Sequence, residues 1–291
     1  MVNRRVVVIC SNDFSDIYFA NQLIKRLNVV GVVVERQYQK SGILKKCVKL
    51  GKMAFRPWQL VKKIRNESTY KHYYQLSKKV DLEHFGEEAL KLYPNDQCKV
   101  IYADGHKAIS KPEHIEAIKS LNPDIMALCG CSIIPKEIIA LPPLGVVNLH
   151  GGLAQKYRGV WTTLWAIHNA EPEYVGATVH FVDPGIDTGK IIFQGRPKIE
   201  ENDNPETLYV KVVKLGVEMV TKAIQDIQNG TVKTYPLNAL GDLYLAKNVT
   251  AEVLKKAWDQ IERGLIKEYL RDKKERDKKV TKLMVTEFSH T

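Results

Sequence analysis

Cysteine is scarce and forms no pairing pattern. The chain has five in 291 residues, of which only Cys129 and Cys131 are close, as C-x-C with no second pair. Neither a disulfide framework nor a zinc site is supported, and the simpler reading is small apolar side chains in a reducing compartment. Long apolar runs are also missing. Stretches such as Val6 to Cys10 are far too short to span a bilayer, and no basic segment followed by an apolar stretch and a cleavage site opens the chain. A soluble, cytoplasmic protein with no transmembrane segment is expected. The glycine-rich G-x-G-x-x-G turn is absent too: the residues after the first apolar run are Ser11-Asn12-Asp13-Phe14-Ser15-Asp16, which argues against a nicotinamide cofactor. What is present is 44% hydrophobic and 26% charged, a composition that suits one mid-sized domain with an extension, or two small domains. Lys and Arg number 44 against 33 Asp and Glu, for a net charge of +11, so an anionic substrate or surface fits better than a cationic one.

The pattern along the chain is that of a wound α/β protein. Val6 to Cys10 reads as a buried strand, Ile17, Ala20, Leu23, Ile24 and Leu27 recur at helical spacing, and Val29 to Val34 reads as a second strand. Ser11 and Asn12, before that helix, can cap it or offer backbone N–H groups to an anion. Further strands are expected at Lys99 to Tyr102, Asp124 to Cys129 and Leu144 to His150, with helices over Glu113 to Leu121 and Trp161 to Ala170. Val175 to Val182 and Lys190 to Gln194 read as a hairpin carrying a loop, and Thr207 to Gln228 as an amphipathic helix. These place a catalytic domain over 1–235. After Pro236 a short, mainly helical extension over 236–291 is expected, with Ala251 to Leu270 helical and Arg271 to Lys282 a solvated helix end or a fraying tail. Between Gln39 and Asn66 stand nine basic residues and no acidic one, interleaved with apolar side chains. That excursion suggests amphipathic helices with a solvated basic face, or a surface for phosphates of a substrate, a nucleic acid or a membrane.

Asn148 and His150 alternate on one strand end, so both side chains point the same way, at the carboxyl edge where ligands collect in parallel sheets. Asp183 and Asp187 lie in the loop Val182-Asp183-Pro184-Gly185-Ile186-Asp187-Thr188-Gly189, whose tight path can return a carboxylate to the histidine. Amide, imidazole and carboxylate together suit acyl transfer to an amine, with no nucleophilic Ser or Cys needed. On spacing alone, Asn148 and His150 can equally serve to satisfy buried backbone groups at a strand end.

The stretch Asn148-Leu149-His150-Gly151-Gly152-Leu153-Ala154-Gln155-Lys156-Tyr157-Arg158-Gly159, followed by Gly176 to Asp183 and by Gly185-Ile186-Asp187-Thr188-Gly189, resembles the 10-formyltetrahydrofolate-dependent formyltransferases. Order and spacing agree over roughly Asn122 to Gln194, and the looser sheet pattern from Val6 to about Gly230. The resemblance implies a Rossmann-like formyltransferase fold, α/β, with a mostly parallel sheet flanked by helices. It implies that Asn148, His150 and Asp187 match the family's catalytic residues. A substrate amine then attacks the formyl group directly, Asn148 and protonated His150 steady a tetrahedral oxyanion, and Asp187 assists proton transfer. For the folate co-substrate, 10-formyltetrahydrofolate, it implies a slot formed by Leu128, Gly130, Ser132, Ile133 and Ile134 with Val182, Asp183 and Asp187, and no metal. Tyr157-Arg158-Gly159 is then placed to position the acceptor or the loop, unless Arg158 is a surface side chain paired with a carboxylate.

The family often has a small polar residue two places after the histidine and a proline five after it. Gly152 and Gln155 stand there, which implies a wider or more mobile wall behind His150. The first turn lacks the glycines of the glycinamide ribonucleotide enzymes, and the residues after Pro236 are too few and too helical for the barrel of the methionyl-tRNA enzymes. The expected partners are therefore the folate and a small-molecule amine, with a nucleotide-linked amino sugar first and glycinamide ribonucleotide as the alternative. The basic segment would meet the sugar's diphosphate. It also keeps a non-catalytic module that binds RNA or membrane open, and a homo-oligomer is compatible with everything above.

Overall fold

Runs of β-branched residues buried on both faces build the centre of the protein. In the computed structural model, which describes residues 4–36, 57–105 and 107–288, Val6–Ser11 (β1) and Val29–Arg36 (β2) pair in parallel, joined by the helix Phe14–Arg26 (α1). Lys99–Asp104 (β3) adds beyond β2, and Ile125–Cys129 (β4) and Val146–His150 (β5) add on the other side of β1. The sheet ends in the antiparallel strands Ala177–Phe181 (β7) and Ile191–Gly195 (β8), giving the order β3-β2-β1-β4-β5-β7-β8. The expected mostly parallel sheet is thus observed. Strand order reverses between β1 and β4, where an open parallel sheet leaves a crevice at its carboxyl ends.

Side-chain alternation divides the core in two. Val6, Val8, Cys10, Val147 and Leu149 face α1 and the long helix Pro205–Gln228 (α6), whereas Val7, Ile9, Leu128 and Val146 face the helices Pro112–Ser120 (α3) and Lys136–Ile139 (α4). The start of α6 is held by Asn204, whose Oδ1 accepts from the N–H groups of Glu206 and Thr207 at 3.0 and 3.1 Å while Thr207 Oγ1 accepts from Asn204 N–H at 2.9 Å. That reciprocal cap is worth about 1 kcal/mol and fixes where Glu206 and Tyr209 stand.

The basic excursion expected over 39–66 falls largely on residues 37–56, which lie outside the described residues. From Pro57 it is the beginning of one helix, Pro57–Phe85 (α2), which runs far past the expected boundary. Its Trp58, Val61 and Ile64 are exposed instead of forming a core-facing stripe. Packing begins further along, where Tyr73 stacks on Trp258 and where Val80 and Phe85 meet Val210 and Val213 of α6.

The C-terminal stretch also differs from expectation. Two helices, Ala251–Glu262 (α7) and Leu265–Leu283 (α8), are separated at Gly264, which takes a left-handed φ of 91°. Leu254, Ala257, Leu265, Ile266 and Tyr269 enter the core shared with α1 and α6. Arg271 to Lys282 is helix throughout, and one side of it docks. Arg196 Nη1 donates to Asp277 Oδ1 at 2.8 Å, Tyr269 Oη donates to the same oxygen at 3.0 Å, and Arg276 Nη2 donates to Glu173 Oε2 at 2.5 Å. Asp242–Tyr244 (β9) pairs in parallel with Tyr157–Gly159 (β6), a two-stranded ladder that the sequence pattern did not suggest.

Asp277→Ala should destabilise the chain by about 2 kcal/mol in urea unfolding, because it leaves the Arg196 charge and the Tyr269 hydroxyl without their acceptor. Arg271→Ala, on the exposed side of α8, should change stability by less than about 0.5 kcal/mol. Equal effects would mean that α8 does not dock through Asp277.

Candidate active site

Three separated stretches converge at the carboxyl end of β5. Asn148 lies opposite His180 in the antiparallel β5–β7 register, and its Nδ2 is 3.2 Å from His180 Nε2. His180 Nδ1 lies 2.8 Å from the Phe181 carbonyl and so donates to it, while Nε2 faces the Asn148 amide on one side and Asp187 on the other. His150 is fixed in the complementary way. Its Nε2 is 2.8 Å from the Tyr157 carbonyl and so carries hydrogen, leaving Nδ1 as the nitrogen that gains or loses a proton. Tyr157 is itself anchored, its hydroxyl donating to Glu171 Oε2 at 2.5 Å and accepting from Asn169 Nδ2 at 3.0 Å.

Asp187 lies between the two rings. Its Oδ2 is 3.4 Å from His150 Nδ1 and accepts from Gly159 N–H at 2.8 Å, and its Oδ1 is 3.5 Å from His180 Nε2. Burial alone would raise this carboxyl. The His150 charge, the hydrogen bond and charge of His180 and the Gly159 N–H outweigh it and hold the group well below the ordinary 3.8. Its backbone sits at a left-handed φ of 53°, a conformation that Asp tolerates better than most residues. The surrounding loop enforces that geometry. Asp183 Oδ1 accepts from Gly185 N–H at 3.0 Å and Thr188 Oγ1 at 2.6 Å, and Arg158 donates from Nη1 to the Ile186 carbonyl at 3.1 Å. Of the three roles open to Arg158 in the sequence, holding the loop is the one observed.

The residues expected to form the folate slot divide. Leu128 and Ile134 are buried in the core on the α3 and α4 side, with Val182 packed partly against them, whereas Ile133 is 70% exposed. Ser132 is engaged from β2: its N–H and Oγ both donate to the buried Glu35 carboxylate, each at 2.8 Å. Gly130 takes a left-handed φ of 64°, and a Cβ there would stand 1.9 Å from Asp16 Oδ2. Asp16 bridges the ends of β1 and β4, accepting from Ser11 Oγ at 2.6 Å and Cys129 Sγ at 3.3 Å, and burial pushes its carboxyl up to about 7. Ser11 Oγ also accepts from Asp13 N–H at 3.0 Å, so this first turn organises itself around an acid, and no side-chain cap stands at the helix start.

The wall behind His150 is neither wider nor looser. A Cβ on Gly152 would stand 2.8 Å from Thr162 Cβ and 2.9 Å from His150 Nε2, so the glycine is needed to let Thr162 close in. Gln155 is buried and pairs reciprocally with Gln194 at 3.1 and 2.6 Å. Sequence reasoning passed over His180. Its signal was present, a polar residue alternating with Val179 and Phe181, but only the register sets it opposite Asn148.

Because Asp187 is held low in the folded chain and is ordinary in the unfolded one, its contribution to stability is full above about pH 4 and is lost as pH falls from there toward the depressed value. Asp187→Asn keeps the backbone preference and removes the charge. Urea unfolding should show the largest gap between the two proteins at about pH 5 and a narrowing gap with added acid. A gap that does not narrow would contradict the ion pairing described here.

A family model described as formyl transferase matches residues 76–224. The methionyl-tRNA formyltransferase of Azobacteroides pseudotrichonymphae genomovar. CFP2 is 36% identical over 163 residues, which are 55% of this chain and 50% of that protein. That of Clostridioides difficile (strain 630) is 38% identical over 119 residues, 40% and 38% of the two chains. The chain thus spans about half the length, or less, of these curated relatives. Among solved structures, a 4-N formyltransferase from Francisella tularensis matches with a TM-score of 0.52 at 18% identity, over 89% of this chain and 87% of its own. A phosphoribosylglycinamide formyltransferase from Anaplasma phagocytophilum matches with a TM-score of 0.50 at 17% identity, over 84% and 99%. These two likenesses bear on the fold, while the model match covers more than half of the residues and includes Asn148, His150 and Asp187: the chain belongs to the formyl transferase family.

Proposed function

We propose that this chain transfers a formyl group from 10-formyltetrahydrofolate to a primary amine. The observation that carries the reading is the convergence of Asn148, His150 and Asp187, from two strand positions and a distant loop, in a member of this family. The donor set fits a folate co-substrate. Exposed Ile133 and partly buried Val182, backed by buried Leu128 and Ile134, offer apolar surface beside a tight loop, the surroundings a flat heteroaromatic ring uses. The bound folate supplies the electrophilic formyl carbon. Asn148, held beside His180, directs an amide hydrogen at the oxygen that gains charge when the amine attacks. His150, with Nε2–H committed to Tyr157, moves its proton at Nδ1, and Asp187 steadies the charged ring.

The amine is the part of the acceptor to which this reading commits. A nucleotide-linked amino sugar, our first expectation, rested on departures from the glycinamide ribonucleotide and methionyl-tRNA enzymes, and the basic segment that would meet its diphosphate lies mostly outside the described residues. The test is incubation of the full chain with 10-formyltetrahydrofolate and a panel of primary amines, with nucleotide-linked amino sugars and glycinamide ribonucleotide included, followed by mass spectrometry for a formylated product. Formate released without any amine would instead mark a hydrolase. His150→Ala should lower kcat by about 10²-fold while folate binding persists. An unchanged kcat would remove His150 from the mechanism.

A further inference from the structure

A cavity of about 160 Å³ lies among the N-terminal ends of α1, α6 and the helix Thr162–His168 (α5), and is closed on one side by α2. Trp161 and Tyr209 supply aromatic wall, and its charged lining is Asp13, Asp81, Glu206 and Lys78. Three acids thus face one base. Lys78 already lies over the rings of Phe14 and Tyr74, its Nζ 5.1 and 4.7 Å from their centres.

The acids are not equivalent. Asp13 and Glu206 stand at helix starts, where the peptide dipoles favour a carboxylate, so local structure accounts for them. Asp81 stands four residues before Phe85, the last residue of α2, where the dipole disfavours one. It is only 8% exposed, and its Oδ1 has no hydrogen-bond partner among the described residues. A buried carboxylate oxygen left unpaired costs stability, and it needs a cation or donor that the described residues do not bring to it. Burial, with repulsion from Glu206, Asp13 and Asp16, raises its carboxyl to about 7 although Lys78 opposes this, and burial raises Glu206 as well. The site is short of positive charge.

It also adjoins the reacting groups. Gly151 follows His150, and its carbonyl accepts from Thr162 Oγ1 at 2.5 Å; Thr162 stands between the cavity residues Trp161 and Thr163. A Cβ built on Gly151 would lie 3.8 Å from the Tyr209 ring. The cavity reaches the sheet edge from the α1 and α6 side, while Asn148 and His150 alternate with Leu149 and reach it from the other. Its volume is that of about five waters, enough for an ammonium group on a short chain and too small for a nucleotide.

We propose that this cavity takes the non-reacting ammonium group of a small di- or polyamine, so that the acceptor carries a second positive charge where a nucleotide-linked amino sugar or a ribonucleotide would carry phosphate. Asp81 and Glu206 pair with that ammonium group, and Trp161 and Tyr209 flank it. For turnover the proposal rests on formyl transfer. The neutral amine at the far end forms a C–N bond to the formyl carbon, the bond from that carbon to folate N10 breaks, and the proton lost by the amine passes to N10. The ammonium group in the cavity is unchanged.

The test is calorimetric titration of the full chain with 1,4-diaminobutane, 4-amino-1-butanol and O-phosphoethanolamine, for the wild type and for Asp81→Asn and Glu206→Gln. We expect diaminobutane to bind at least about tenfold more tightly than aminobutanol, and each substitution to remove about tenfold of that affinity while 10-formyltetrahydrofolate binding is kept. Asp81→Asn removes a buried charge that is poorly compensated and should fold with an equal or higher Tm. Phosphoethanolamine binding more tightly than diaminobutane, no diaminobutane binding, or diaminobutane affinity unchanged in both variants would each overturn the proposal. The two readings fail separately: diaminobutane binding without any folate binding or formylated product would remove the transferase reading, whereas formylation of a phosphate-bearing amine with no diaminobutane binding would remove this one.

Discussion

The Asp187 carboxylate, held between the His150 and His180 rings and the Gly159 amide, is the interaction on which the site depends. A carboxylate at this depth is costly unless charge and donors compensate it, and here they come from three parts of the chain. Only a loop that turns sharply can deliver it. Gly189 shows how sharply, since a Cβ there would stand 1.7 Å from the Phe181 carbonyl oxygen, and Asp187 adopts a left-handed backbone two residues earlier. Strain of this kind costs about 1–3 kcal/mol and persists where surrounding contacts over-determine it, as Asp183, Thr188 and Arg158 do in this loop.

Charge is distributed against the chain's average. The net charge of +11 suggests an anionic partner, yet the buried carboxylates Asp16, Asp81 and Glu206 gather near the carboxyl end of the sheet. Most lysines and arginines among the described residues are exposed, where their mutual field is screened within about 10 Å, while buried acids, when ionised, act with little screening on whatever enters. Net charge therefore describes encounter at a distance and says little about a pocket lined by a handful of groups.

The C-terminal helices show how far a charged surface can conceal a docking face. Arg271 to Lys282 reads as solvent-facing because ten of its twelve residues are charged. Arg276, Asp277 and Val280 nevertheless lie along one side, and they meet Glu173, Arg196 and the core through contacts between distant residues. Nothing in the local pattern names Arg196 or Glu173 as partners. The same applies to Gly152 and Gln155. As single letters they look like space and looseness behind His150, whereas Thr162 and Gln194, brought in by α5 and β8, fill that space.

Alternation and run length, which are properties of neighbouring residues, were enough to set out the order of strands and helices, the parallel sheet, and the placing of Asn148 and His150 on one face of β5. The loop offered Asp183 and Asp187, and the family resemblance singled out Asp187. The entry of His180 into the site depended on which strand lies beside β5 and in what register, a choice made by the packing of the whole sheet. The isolation of Asp81 likewise arises only when α2 is laid against α6, because whether a carboxylate is paired is a relation between elements, and no window of sequence contains both sides of it.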